Sequence, residues 1–301
     1  MRIKFRALSQ CWITYYMPDN FFIRGKINLR LFTKQRAIST PILVIVLGAV
    51  LLVGGLTALY FTGFSPFSRT ITEEKDFRDF KTVKVGNAFR VEIIKSSSYS
   101  ISIIADSNII DDIEVFKTGD VLTIRIAPPK EYQVIQARTL RAEITMPDLY
   151  GLELSGATHG TVKGFSSTLK LVLIVSGASS LDLTDMSAGE VEAEVSGASD
   201  VEGNLMASGD AQFTVLGASS LKLDGEANNL VVDECSGASS MDLSNFPVND
   251  ASVDLSGASQ GTVNLDGRLD ANISGASRLE YIGEPIMGDI NIYDSSSISK
   301  K

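Results

Sequence analysis

The sequence predicts an all-β fold: a parallel β-helix (β-solenoid) with coils of about 20 residues, preceded by one transmembrane helix. Three observations carry this. The tetrapeptide Ser-Gly-Ala-Ser/Thr recurs at a near-constant interval, the residues flanking it alternate apolar and polar, and a long apolar run lies in the charge-free gap between Arg36 and Arg69.

Composition bounds the function classes first. The chain has 301 residues, 44% apolar and 21% charged, which excludes a disordered polar chain and a polytopic membrane protein. Its net charge of −9 speaks against a nucleic-acid partner, which needs a basic face. That charge is unevenly placed. Residues 1–40 hold eight Lys/Arg against Asp19 alone, a local charge of +7, so everything after residue 40 carries −16. Cys11 and Cys235 fall in segments expected on opposite sides of a membrane and make a poor disulfide pair. His159 is the only histidine, so no Cys/His metal cluster is possible, and no cofactor or metal is expected.

The run Pro41 to Phe61 (PILVIVLGAVLLVGGLTALYF) is 21 almost wholly apolar residues. A helix needs about 20 such residues to cross a bilayer core of about 30 Å, and Tyr60 and Phe61 would sit at the interface. A buried soluble helix would be shorter and carry a polar stripe. A cleaved signal peptide would have a shorter apolar core and an A-x-A site, which does not follow here. The positive-inside rule puts residues 1–40 in the cytoplasm and residues 62–301 outside. The expectation is a single-pass anchor in the cytoplasmic membrane, N-terminus inside, with the bilayer as partner through 41–61. Met17 is a second candidate start.

The repeat is the most informative feature. Copies begin at Ser155, Ser176, Ser196, Ser236, Ser256 and Ser274, and a seventh has Leu216 in first place. Their glycines are Gly156, Gly177, Gly197, Gly217, Gly237, Gly257 and Gly275, spaced 21, 20, 20, 20, 20 and 18. A degenerate eighth copy is Ser295-Ser296-Ser297. The residue before each copy is apolar: Leu154, Val175, Val195, Val215, Cys235, Leu255, Ile273. Four residues after the glycine come Gly160, Leu181, Val201, Leu221, Met241, Gly261 and Leu279. Six after come Val162, Leu183, Gly203, Leu223, Leu243, Val263 and Tyr281, and both sets are expected to face inward. Between them Thr161, Asp182, Glu202, Lys222, Asp242, Thr262 and Glu280 face out. Period-two alternation in segments such as VEAEV, AQFTV and ASVDL marks strands with one buried face. A period of 20 holds two or three short strands and their corners but no helix. One such unit buries its face only when a neighbour stacks on it. Seven to eight coils about 4.8 Å apart make a rod of roughly 35 Å.

The tetrapeptide is then the corner of each coil. Glycine allows positive φ or close approach of backbones, Ala keeps the corner thin, and Ser or Thr bonds the local backbone or the next coil. Cys235 stands where other coils have Val, Leu or Ile, so it is expected to be a buried hydrophobe. The corner glycines and Ser155, Ser176, Ser196, Ser236, Ser256 and Ser274 are the structural residues singled out here. Residues 76–150 lack the tetrapeptide yet read as strands at Thr82 to Val85, Phe89 to Ile94, Ser100 to Ala105, Ile113 to Phe116, Val121 to Ile126 and Leu140 to Met146. They are expected to form irregular coils or a cap. The organisation is a basic tail (1–40), membrane helix (41–61), linker (62–75), irregular β segment (76–150) and regular β-helix (151–297).

With Ser-Gly-Ala-Ser every 20 residues after the leader Phe80-Lys81-Thr82-Val83-Lys84-Val85, residues 76–297 resemble the head GIN domain family of prokaryotic envelope proteins, the autotransporter-adhesin group. The resemblance implies a right-handed β-helix outside the cytoplasmic membrane, acting in adhesion or carbohydrate contact. It supplies no catalytic or binding residues to place on this sequence.

Two signals suggest catalysis. Gly257-Ala258-Ser259-Gln260-Gly261 fits the nucleophile elbow G-x-S-x-G, but the elbow needs a strand-to-helix turn. A triad with His159 would also have to reach across five coils, roughly 24 Å at 4.8 Å each. The row Asp182, Glu202, Lys222, Asp242 could hold calcium or do acid/base work. However, Lys222 interrupts it, and the regular coils leave no inserted loops to wall a substrate cleft. A solvated face is the plainer account. The expectation is a non-enzymatic envelope solenoid contacting carbohydrate or an envelope protein, its oligomeric state open. A carbohydrate-active enzyme and a ligand-sensing envelope protein are the alternatives.

Overall fold

The computed structural model describes residues 10–15, 23–28, 69–128 and 139–301. The chain divides into two units, residues 1–66 and 67–301. In the first, Gln10–Tyr15 and Ile23–Asn28 form an antiparallel ribbon with Cys11 opposite Ile27, a pairing the sequence reading did not find. The expected membrane span 41–61 lies outside the described residues. Among those described, no helix is long and apolar enough to cross a membrane.

Residues 67–301 form a two-sided parallel β-solenoid. Each coil contributes one strand to each of two facing sheets, so the coil has two strands, the smaller number the period allows. Eight successive coils begin at Gly151–Leu154 and His159–Lys163 and end at Ile286–Ile292 and Ser297–Lys300. Within each sheet every strand pairs in parallel with its counterpart one coil away. The alternation in the sequence decides which face is buried. In Val191–Val195 and Asp200–Ala207, the side chains of Val191, Ala193, Val195, Val201, Leu205 and Ala207 enter the core. Burying each Val or Leu contributes about 1.5–3 kcal/mol before chain entropy is set against it. Phe213 and Phe246 meet fully buried in the core, ring centroids 6.1 Å apart.

Residues 76–150 are threaded in a way the sequence order conceals. Thr82–Val85 and Arg90–Lys95 make a coil in register with Gly151–Leu154 and His159–Lys163. On its other side that coil pairs in parallel with Val121–Ile126 and Leu140–Met146, which come later in the chain. The coil 82–95 is therefore inserted between 121–146 and 151–163. Ser100–Asp106 and Ile113–Thr118 then pair antiparallel with Leu140–Met146 and Val121–Ile126 respectively. These additions bring the count among the described residues to ten parallel coils, about 45 Å at 4.8 Å each rather than 35 Å.

Two further expectations are corrected. Thr70–Glu74, assigned to the linker 62–75, is a strand pairing antiparallel with Ser100–Asp106. As an outer edge strand it is mostly exposed and so lacks the alternation that marks a half-buried one. Gly203 does not occupy a core position. Its φ is +132°, the pairing of this sheet shifts register between Leu183 and Met186, and fully buried Leu205 fills the core instead. Tyr281, next to the last coil, is only partly buried against the core.

Candidate functional site

The repeated corner makes one continuous column. All seven corner glycines have φ between +76° and +86°. A Cβ on Gly177 would stand 2.5 Å from the carbonyl oxygen of Gly156, and one on Gly257 2.6 Å from that of Gly237. Both the left-handed backbone and the closeness of the coils therefore demand glycine. The neighbouring alanine N–H donates to the glycine carbonyl one coil back, as in Ala198 to Gly177 at 2.8 Å and Ala238 to Gly217 at 2.7 Å. Where the column starts, Asn87 takes the left-handed place with φ +71°, and its Oδ1 accepts the Ile126 N–H at 2.7 Å.

The hydroxyl that matters is the fourth residue, not the first. Thr158, Ser179, Ser199, Ser219, Ser239, Ser259 and Ser277 are all buried. Six of them donate to the carbonyl three residues back, Ser199 to Ser196 O at 2.8 Å for example. Their oxygens also accept from the next coil: the N–H of Thr158 donates to Ser179 Oγ at 3.3 Å and that of Ser199 to Ser219 Oγ at 3.3 Å. Ser296, in the degenerate copy, closes the series by accepting from Ser277 N–H. First-position serines give mainly their carbonyls, which explains Leu216: Ser219 bonds its carbonyl at 2.8 Å as readily as a serine's. Sequence reasoning singled out Ser155, Ser176, Ser196, Ser236, Ser256 and Ser274, all half-buried. The signal for the others was present, since the fourth position is Ser or Thr in every copy while the first admits Leu216.

The outer face of the longer sheet is polar and flat. One row runs Arg90, His159, Ser180, Asp200, Ser220, Ser240, Gln260, Arg278, Ser297, and a second Glu92, Thr161, Asp182, Glu202, Lys222, Asp242, Thr262, Glu280, Ser299. His159 Nδ1 lies 2.5 Å from Ser180 Oγ, and its Nε2 lies 3.5 Å from Asp182. Serine, histidine and aspartate thus meet, with residues other than those the elbow motif suggested. The group sits on the outer face of the sheet, and the backbone N–H groups of His159 and Ser180 are committed to Phe89 O and Thr158 O. Ser259 of the elbow motif is fully buried and donates to Ser256 O at 2.8 Å. Beside His159, the register shift and the missing side chain of Gly203 leave a shallow depression lined by Asp182, Thr184, Glu202, Lys222 and Asp224. Further along, the Ser244 hydroxyl donates to Asp242 and holds its carboxyl below the usual range, helped by Lys301 and Lys222.

The second corner carries an amide and carboxylate ladder that sequence reading missed. Asn228 and Asn229 donate to Asp210 at 3.0 Å, and Asn249 donates to Asn228 at 2.9 Å. Arg268 forks onto Asp270 with contacts of 2.7 to 3.0 Å, keeping that carboxyl below its ordinary range. Among the described residues, no three His, Cys, Asp or Glu side chains are grouped to hold a metal ion. Successive coils are joined by turns as short as residues 189–190, so carboxylates one coil apart share an open surface rather than a walled groove.

A regular parallel solenoid with stacked glycine corners defines a class of repeat-built proteins. The chain belongs to the family described as "Putative auto-transporter adhesin, head GIN domain", whose model matches residues 79–285. Among solved structures it is similar to a "putative adhesin" of Parabacteroides distasonis, at 16% identity and a TM-score of 0.68, covering 78% of this chain and 98% of that one. A "putative adhesin" of Bacteroides fragilis is 18% identical with a TM-score of 0.57, covering 78% and 99%. A "putative lipid binding protein" of Parabacteroides distasonis is 17% identical with a TM-score of 0.60, covering 77% and 97%. At these identities the likeness is one of fold. No protein of curated function matches the sequence.

Proposed function

We propose that this chain is a non-enzymatic, membrane-anchored adhesin that presents its solenoid outside the cytoplasmic membrane to carbohydrate or envelope protein. One observation carries the reading: the outer face of the longer sheet is rows of polar side chains repeated at coil spacing, and among the described residues no loop encloses them. Such a surface offers many weak, equivalent contacts to a repetitive ligand, whereas catalysis needs a desolvated cleft. Family membership supports the same reading, and the apolar run 41–61 with its basic flank supports the anchor.

The test is a glycan and envelope-fraction binding assay on the full chain, with each bound polysaccharide checked for cleavage. Saturable binding without cleavage is expected, weakened by Lys222→Ala or Asp182→Ala. Cleavage would replace this reading with a carbohydrate-active enzyme. The anchor is checked by alkaline carbonate extraction of membranes, where the chain is expected to stay in the pellet.

A further inference from the structure

The two ends of the solenoid are finished differently. At the first end the outermost strands, Thr70–Glu74 and Ile113–Thr118, run antiparallel to their neighbours and carry Glu73, Glu74, Glu114 and Lys117. Charged edges of this kind discourage further pairing. At the other end Ile286–Ile292 and Ser297–Lys300 are parallel, and among the described residues neither has a strand on its outer side. Of nine large apolar side chains exposed on the described residues, four stand here: Ile286 at 71%, Tyr293 at 55%, Met287 at 44% and Ile292 at 43%. Ile290 and Ile298 pack on the core but are only partly covered.

We propose that this end docks on the same end of a second copy of the chain, giving a closed twofold dimer. A twofold axis perpendicular to both sheets reverses strand direction while keeping each sheet on its own side. Ile286–Ile292 then meets its twin antiparallel, Ser297–Lys300 does the same, and both ladders continue across the joint. Met287, Ile290 and Ile292, in register with the buried Leu269, Ala271 and Ile273, become interior. Charge favours this occupant, because antiparallel pairing brings Lys301 of one copy, whose ammonium donates to the Ser244 hydroxyl in its own chain, to the exposed Asp294 corner of the other, while Lys300 stays with Glu284. The charged first ends do not offer a comparable edge, so assembly stops at two copies instead of growing into a fibre.

The test is sedimentation velocity of the full chain over a wide concentration range, in one fixed non-ionic detergent. A reversible monomer–dimer equilibrium is expected. Met287→Lys with Ile292→Lys should weaken it at least 100-fold, while Leu169→Lys, an exposed site elsewhere, should leave it unchanged. Both variants should keep the parent circular dichroism melt. Should the double variant not fold, Asp289→Cys, at the middle of Ile286–Ile292 and so opposite its own twin, supplies the second measurement, with a disulfide-linked dimer expected on mild oxidation and none from Thr72→Cys at the other end. A monomer at every concentration, a dimer indifferent to the double variant, or assemblies larger than two would each overturn the proposal.

Discussion

Single residues at the corner divide into those needed for their backbone and those needed for a side chain. Gly197 has φ +83° and lies against Gly177, so Gly197→Val meets both a forbidden conformation and a backbone clash. Asp242→Ala removes only a half-exposed carboxylate held by Ser244. Thermal melting should show a much larger loss for the glycine, and equal losses would undo the corner assignment. The hydroxyls separate in the same way. Ser199→Ala leaves the Ser196 carbonyl and the Ser179 N–H without their buried partner, a cost of about 1–3 kcal/mol. Ser196→Ala keeps the carbonyl that Ser199 uses and should cost under about 0.5 kcal/mol. Cys235 adds a pH dependence. Burial pushes its thiol up to about 11 from the ordinary 9.0, partly opposed by the hydrogen bond with Ser259. Ionisation is thus easier in the unfolded chain. This contribution is complete below about pH 9 and is lost as pH rises toward 11. The melting temperature of Cys235→Val relative to the parent should therefore rise across that interval and stay constant below it.

At the level of strands and coils, much was legible because a half-buried strand writes its geometry as period-two alternation. The expected segments at Thr82, Val121 and Leu140 coincide with strands Thr82–Val85, Val121–Ile126 and Leu140–Met146. Alternation says which face is buried but not which strand lies alongside. The insertion of coil 82–95 between 121–146 and 151–163 was therefore invisible, as was the exposed edge strand Thr70–Glu74. The Gly203 irregularity escaped for a related reason, since a register shift depends on the neighbouring coil. Of the candidate surface, the outward rows could be read from alternation. The meeting of His159 with Ser180 could not, because it depends on two coils stacking in register. The insertion has a measurable consequence. Coil 82–95 is paired on both sides, whereas Thr70–Glu74 and Ile113–Thr118 are paired on one. Amide hydrogen exchange should find Val83, Val85, Val91 and Ile93 protected as strongly as Val195 and Val201. The amides of Thr70–Glu74 should exchange far faster. Uniform protection across residues 70–126 would contradict the inserted coil.

The unit of residues 67–301 is a stack in which each regular coil touches mainly the coil before and the coil after, so its stability is close to a sum of coil and interface terms. The second cluster of contacts that would penalise removing a unit from a globular core does not exist here. Excising residues 197–216 joins Ser196 directly to Gly217 and rebuilds the tetrapeptide as Ser196-Gly217-Ala218-Ser219. Val195 then leads into the next corner, and Ser219 finds the Ser196 carbonyl three places back, as Ser199 does in the parent. The stack closes up by one coil, with Ser180–Ala188 facing Ser220–Glu226 in place of Asp200–Ala207. Their outward and inward positions coincide, because Leu181 and Leu221 already share a register with Val201. Circular dichroism and thermal melting of this excision should show the parental β spectrum and a cooperative melt at a modestly lower temperature. Excising residues 197–206 removes half a coil instead. That joins Ser196 to Ala207, sends the chain toward the wrong corner and leaves Ser179 without the buried hydroxyl it bonds. This second chain should lose the cooperative transition. If both excisions behave alike, the 20-residue coil is not the unit in which this protein is stabilised.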